Sequence, residues 1–384
     1  MTSNSSQPSK KVWLDEADGN VVLFYPFVPP ETGAKVSQVL STRWIGQGPL
    51  VDEFEKEFVD FIGDGHALAV GSGTDALHLA YILADVQPGD EVICPVFTCT
   101  ATNLPLLYIG ATPVFADIDP KTMNMSPSVI RSLVTEKTKA IVTVDYGGLP
   151  CDYEEIMKIA KEFNLKVIDD ASHAVGAKYK GRMIGSIADF TTYSFQAIKH
   201  ITTGDGGLLL VKDPELAEKG RRLRWFGIDR RAKQAGIWAN DITEIGYKYQ
   251  MTDIGAAMGI AGLSHIEDVL LHRRTLLNTY IERLSTVSDV YSVGSEALGD
   301  REHAAWVHTI LVDDRDGLQE KLRSAKIESG PVHYRNDMYT VFGGRRSDLP
   351  QMDLIEPKYL VLPLHMRVDV ESVNRICDVI ASGW

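Results

Sequence analysis

Three short stretches of this sequence hold residue types that could do chemistry together. The first, Asp189 to Val211, reads DFTTYSFQAIKHITTGDGGLLLV. Two strand-like runs flank a middle that holds Ser194, Lys199, His200 and three glycines. A lysine amine is a nucleophile only when deprotonated, which burial or a cationic neighbour achieves. Taken alone, a lysine here also fits an ordinary surface charge. The second stretch, GSGTDALHLA from Gly71 to Ala80, runs from a strand through glycines into a helix. Glycines let the backbone approach an anion, and the free N–H groups of the helix start receive it. No lysine follows the second glycine, and the third glycine of GxGxxG is missing. A plain strand–turn–helix corner is the alternative. The third stretch, VIDDASHAVGA from Val167 to Ala177, ends an apolar strand on Asp169 and Asp170, with His173 three residues on. That is the carboxyl edge, where open α/β sheets place ligands. A capping or turn aspartate is the commoner role of such a residue. No second cluster with ligand spacing supports a metal site, so none is expected.

An anion cradle, an acid at a strand edge and a strand-end lysine together suit pyridoxal 5'-phosphate (PLP). That cofactor needs a phosphate site, a partner for its pyridine nitrogen and an amine for a Schiff base. The elements that must position these groups alternate. HALAV is a strand, TDALHLAYILADV a helix, and EVICPVFT and TPVFADI are strands. SPSVIRSLV begins a helix with Ser126 as N-cap. KAIVTVD and LKVIDDAS are strands on either side of the amphipathic helix DYEEIMKIAKEFN, and ADFTTYSF and GLLLVK follow. Strands alternating with helices predict a mostly parallel sheet covered on both faces. After Pro214 the pattern turns helical, with one long helix expected from about Asp253 to Leu284. The reading gives three parts: an N-terminal segment (1–25), partly disordered; a large domain (26–262); and a smaller α+β domain (263–384).

Bulk properties narrow the function. The chain has 384 residues, 44% hydrophobic and 24% charged, as a folded protein with a large core requires. A net charge of −13 argues against nucleic acid or an anionic membrane as the main partner. The N-terminus shows no apolar signal region, and no apolar run reaches spanning length. Cys94, Cys99, Cys151 and Cys377 form no CxxC pair, so a reducing, cytoplasmic location is expected. The basic run RRLRWFGIDRR (Arg221, Arg222, Arg224, Arg230, Arg231) reads as a solvated helix face. A weaker reading has some of these arginines meeting a nucleotide diphosphate.

From about Trp44 onward, the sequence resembles the sugar aminotransferases of the DegT/DnrJ/EryC1/StrS family. The resemblance rests on GSGTDAL, GATPVFADID, DYGGLPCD, VIDDASHAVGA, YSFQAIKHITTGDGG and GYKYQMTDIGAAMGIAGL. It implies a fold-type-I PLP-transferase: an α/β chain whose large domain has a mostly parallel seven-stranded sheet flanked by helices, plus a smaller C-terminal α+β domain. It also implies roles. Lys199 matches the Schiff-base lysine, and Asp170 the carboxylate on the pyridine nitrogen. His173 matches the residue on the cofactor's 3-hydroxyl side. Gly73 and Thr74 match the phosphate-binding turn, with Ser194 donating to the same phosphate.

The sequence departs from the family pattern at two positions. Where the family often has an aromatic residue stacking on the ring, this chain has Cys99, and Phe97 would share its side if the strand continues. Where the family commonly has an asparagine that reaches the phosphate of a neighbouring subunit, this chain has Lys248, so a homodimer with shared active sites is implied. His333 and Tyr334 are substrate-pocket candidates, and His365 a weaker one. The activity implied is amino transfer from L-glutamate, leaving 2-oxoglutarate, to a keto-sugar. A nucleotide-linked 4-keto-6-deoxy or 3-keto sugar is expected, giving an amino sugar for a surface polysaccharide or a glycosylated metabolite. The alternatives are a cyclitol acceptor, a sugar 3-dehydratase, in which histidine replaces the lysine, and a PLP-binding regulatory protein. The spacing from Ser194 favours Lys199 over His200 as the reactive position.

Overall fold

The computed structural model describes residues 19–239 and 241–384; the first eighteen residues, including those expected to be disordered, lie outside it. Seven strands form the central sheet: β1 (His66–Val70), β2 (Glu91–Pro95), β3 (Thr112–Ala116), β4 (Thr138–Val144), β5 (Lys166–Asp170), β6 (Phe190–Ser194) and β7 (Gly207–Val211). Their order across the sheet is β1-β7-β6-β5-β4-β2-β3. Only β7 runs against the others, antiparallel to β1 and β6. The strands are near-continuous apolar runs because helices cover both faces of the sheet. The helix Tyr153–Phe163, for example, buries Tyr153, Ile156, Ile159 and Ala160 on one stripe.

Register places the chemistry at one edge. Val70 at the end of β1 pairs with Gly207 at the start of β7, and Gly207 pairs with Ser194 at the end of β6. Asp170, the last residue of β5, pairs with Thr192. The glycine turn, Asp170 and Ser194 are therefore neighbours, although Gly73 lies 97 positions before Asp170 and 121 before Ser194. Helix α1 (Gly73–Leu83) leaves the turn with Ser72 as its N-cap, the Ser72 hydroxyl accepting from Asp75 N at 3.0 Å.

Three local expectations are corrected. EVICPVFT is not one strand: β2 stops at Pro95, and Phe97–Thr98 forms a separate two-residue strand. Cys99 is then the N-cap residue of helix α2 (Thr100–Ile109). Phe97 therefore does not share its side of a strand and is buried edge-on against Tyr146 and Tyr359. The expected long helix breaks at His265 into α3 (Asp253–Ser264) and α4 (Ile266–Leu284), bent by 59°. Ser126 holds the N-cap position of its helix but makes no capping hydrogen bond, because its hydroxyl meets that of Ser128.

Beyond α4, a three-stranded antiparallel sheet of β8 (Tyr291–Ser292), β9 (His308–Leu311) and β10 (Tyr359–Leu362) packs with α4 and the helices Arg315–Ser324 and Val370–Ala381 around its own core. This unit returns to the large sheet at one point that matters for the site: Tyr334 and Arg335 pair with Thr98 and Phe97. Residues 19–25 also join it. Val21 bridges Ile327, and Leu23 N donates to the Glu328 carboxylate at 2.8 Å. No single described helix is long and apolar enough to cross a membrane.

Candidate active site

A cavity of about 740 Å³ opens at the shared strand edge, inside the usual range for small-molecule sites. Gly73, Thr74, Cys99, Asp170, His173, Ser194, Lys199, His333 and Tyr334 all line it. His333 and Tyr334 come from the returning segment and the other seven from the loops and strand ends of the large sheet, Lys199 from the loop between β6 and β7 (195–206). Lys248 is not in the lining. Its backbone bridges Trp225 and its amine lies 5.5 Å from the Phe226 ring centroid. His365 is also elsewhere, donating through Nε2 to the Val22 carbonyl at 3.0 Å. Asp169 is buried on the opposite side of β5 from Asp170, near Thr143 and Asp145, where burial raises its carboxyl well above the usual range.

The cradle for an anion is built without spare room. A Cβ at Gly207 would lie 2.4 Å from the Ser72 carbonyl oxygen, and one at Gly73 would lie 3.1 Å from Ser194 Cβ. Only glycines let β7 and the start of α1 approach this closely. The N–H groups of Gly73 and Thr74 belong to the first turn of α1, which has no carbonyl partners for them within the helix.

Lys199 is 8% exposed. Burial pushes its amine down to about 8, against the opposing pull of Cys99 and Asp170. Its Nζ lies 3.7 Å from the centroid of the Trp306 indole. Trp306 in turn stacks on His173, with ring centroids 3.8 Å apart and planes 8° from parallel. His173 Nε2 is 3.3 Å from His333 Nε2, so one imidazole donates and the other accepts. Burial lowers both, with Lys199 adding repulsion: His173 falls well below the usual imidazole range and His333 to about 3. Both are neutral near pH 7. The Nδ1 of His173 is buried with no hydrogen-bond partner among the described residues. His200 faces away, its Nε2 donating to the Ala304 carbonyl at 2.7 Å. The lysine, not the histidine beside it, is thus the group in the cavity.

Among the described residues, Asp170 receives two hydrogen bonds. The Thr102 hydroxyl donates to Oδ2 at 2.7 Å and Ser172 N to Oδ1 at 3.2 Å. These residues fit PLP: a helix-start cradle for the phosphate, a held carboxylate for the ring nitrogen, an unpartnered imidazole nitrogen for the 3-hydroxyl side, and a buried amine of depressed basicity. Sequence reasoning missed Trp306, Thr98 and Thr102. Trp306 lay in a stretch read only as part of the small domain, and Thr102 lay inside what is now α2.

The basic run is a separate structure. Arg224 is buried and, with Arg221, pairs with the buried Glu55. Arg231 pairs with Glu218, and Arg222 lies 3.7 Å from Glu244. The run lines a second cavity of about 470 Å³, away from Lys199. The expectation of a solvated helix face therefore fails at Arg224, which closes a buried ion pair.

Comparison with known proteins bears on this geometry. The sequence matches the DegT/DnrJ/EryC1/StrS aminotransferase family over residues 29–381. It is similar to GDP-perosamine synthase of Caulobacter vibrioides, with 36% identity over 348 residues, 89% of this chain and 92% of that one. Its fold is similar to that of the sugar aminotransferase CalS13 from Micromonospora echinospora (30% identity, TM-score 0.90, covering 95% of this chain and all of that one). It is also similar to Spr1654 from Streptococcus pneumoniae in its PLP-form (28% identity, TM-score 0.88, covering 94% and 98%). The seven-stranded sheet and the smaller α+β unit are those expected of such enzymes. The cavity that joins Lys199, Asp170 and the Gly73 turn thus lies in a chain that belongs to the DegT/DnrJ/EryC1/StrS aminotransferase family and is a PLP-dependent transaminase.

Proposed function

We propose that this enzyme moves an amino group from L-glutamate to a nucleotide-linked 4-keto-6-deoxy or 3-keto sugar, and that Lys199 carries the proton transfers. The observation that carries this reading is the buried Lys199 amine in one cavity with Asp170 and the Gly73–Thr74 turn. When bound, PLP supplies the electron sink that stabilises a carbanion at the substrate carbon. The N–H groups of Gly73 and Thr74 and the Ser194 hydroxyl hold the phosphate. Asp170, anionic, keeps a proton on the ring nitrogen. His173 orients the 3-hydroxyl side, and the Cys99 sulfur offers a small, polarisable surface where relatives often use an aromatic ring. Lys199, with a basicity near physiological pH, takes a proton at the substrate carbon and delivers it again. Trp306 and the two neutral histidines exclude water from that amine. His333 and Tyr334 contact the sugar.

The substrate's nucleotide is supported by the relative named for a GDP-linked product. A homodimer is supported by the segment before Lys248, where Trp238 and Ile245 are 76% and 83% exposed. Isolated chains seldom leave such surfaces open, and a second copy would cover them while bringing Lys248 to its neighbour's phosphate site. The product serves a surface polysaccharide or a glycosylated metabolite, made in the cytoplasm. Within each chain we assign residues 26–262 to the cofactor domain and 263–384 to the small domain.

The test is a panel of nucleotide keto-sugars offered to the glutamate-treated enzyme, read by mass spectrometry. Glutamate should bleach the visible band, and one sugar should gain nitrogen. The Lys199→Ala variant should transaminate none of them; retained activity in that variant would refute the assignment.

A further inference from the structure

The Asp170 carboxylate is held by a chain of hydroxyls whose proton order is fixed. Thr102 Oγ1 donates to Asp170 Oδ2 at 2.7 Å, because a carboxylate oxygen can only accept. A hydroxyl has one proton, so Thr102 must accept at its remaining contact, Thr98 Oγ1 at 2.8 Å. Thr98 is therefore the donor. Both threonines are buried. The chain is anchored at both ends. Tyr81 OH donates to the Thr102 carbonyl at 2.6 Å, and Asn336 Nδ2 donates to the Thr98 carbonyl at 2.8 Å. Asn336 Oδ1 in turn accepts from Asn103 Nδ2 at 2.9 Å.

A threonine in a helix ordinarily turns its hydroxyl to the carbonyl one turn back. Thr102, the third residue of α2, does not: its hydroxyl leaves the helix for Asp170. With Ser172 N on Oδ1, each carboxylate oxygen has one internal donor. Each thereby keeps lone-pair capacity for the cavity side, and the carboxylate plane is fixed.

We infer that Thr102 is a positioning residue for the transamination: its hydroxyl, itself ordered by Thr98, holds the Asp170 carboxylate in the orientation that a protonated ring nitrogen needs. This rests on the reading in which Asp170 meets the pyridine nitrogen. A hydrogen bond to a carboxylate stabilises the anion, and its loss leaves a buried charge less compensated. The effect should reach the cofactor through Asp170, not the amino donor.

The experiment uses the full chain, stripped of PLP and reconstituted, as wild type, Thr102→Val and Thr102→Ser. The PLP dissociation constant is read by equilibrium dialysis, and kcat and KM for glutamate are read separately. Thr102→Val should weaken PLP about tenfold and lower kcat by a similar factor, with KM for glutamate within about twofold of wild type. Thr102→Ser keeps the hydroxyl and should recover most of both losses. A Thr102→Val protein with wild-type PLP affinity and kcat overturns the inference, as does a serine variant no better than valine. If the Thr102 variants do not fold, Thr98→Val decides: a severalfold weaker PLP affinity is expected, and an unchanged one overturns the inference. In each overturning case the variant still binds PLP, so the function proposed for Lys199 and Asp170 stands. A wild-type chain that binds no PLP defeats both.

Discussion

Lys199 Nζ rests 3.7 Å from the centre of the Trp306 ring, and His173 stacks on that same ring at 3.8 Å. The indole gives the ammonium form a π face, while burial works against the charge. Burial dominates, and the amine settles at about 8. The reactive lysine is thus kept near the point where protonated and free forms balance at physiological pH.

Covalent capture of PLP by the stripped enzyme should therefore accelerate with pH around a midpoint near 8, not near the usual lysine value of about 10.4. The sign follows from burial: the folded state releases its proton first. Between those two pH values the unfolded chain holds more protons, so this group also adds stability as pH rises through that window. Stopped-flow absorbance after mixing with PLP across pH 6.5 to 10.5 measures the midpoint. A midpoint above about 10 would place Lys199 in water, against its burial.

Trp306→Leu should lower that midpoint further, because it removes the face that favours the ammonium. It also deletes the Nε1 hydrogen bond to the Ile198 carbonyl (3.1 Å) and the His173 stack. Truncating a buried tryptophan as far as alanine costs about 3–5 kcal/mol, so the leucine variant should lose stability by less than that. Urea unfolding reads the stability, and the capture experiment reads the shift. An unchanged midpoint would mean the ring does not stabilise the amine.

Acid should destabilise the fold before most carboxylates titrate. His303, His308 and His333 are each held at about 3 by burial, so all three are neutral when folded and charge on unfolding. Their folded-state values lie below the ordinary 6.5, so the stability they confer is complete above that pH. It is lost as pH falls towards 3, at up to about 1.4 kcal/mol per pH unit for each histidine. His308 stacks on Tyr280 at 4.9 Å, and a His308→Phe variant should flatten the slope by one histidine's share. Urea titrations between pH 7 and 4 give the slope directly.

Shared active sites make a further, countable prediction. Lys199→Ala and Lys248→Ala homodimers should each be impaired. Mixed and re-formed at equal amounts, they should recover about a quarter of wild-type sites, because each heterodimer carries one intact pair. No recovery on mixing would place Lys248 outside the neighbour's site.

The site was legible where sequence neighbours become spatial neighbours. Strand ends and glycine turns are local signals, and they led to Lys199, Asp170, Ser194 and the Gly73 turn. Trp306 and Thr102 were not legible, because each acts through a contact far along the chain. Cys99 was misplaced because alternation presumes a continuous strand, and the strand stops at Pro95. The break at His265 did leave a trace. Residues 253–264 are small or apolar on every side, as a fully buried helix needs, whereas 266–284 carry one apolar stripe. The change of pattern marked the break better than any proline or glycine could, since His265 is neither.

The short pairing of Thr98–Phe97 with Tyr334–Arg335 has a consequence for how the enzyme is made. Asn336 donates to the Thr98 carbonyl across 238 positions of sequence. Contacts of that span close late, after local elements have formed. A chain still on the ribosome can fold β1 to β7 before residues 331–336 exist, yet it has no finished wall on that side of the cavity. The wall that closes the cavity on that side is therefore complete only in chains synthesised past residue 336.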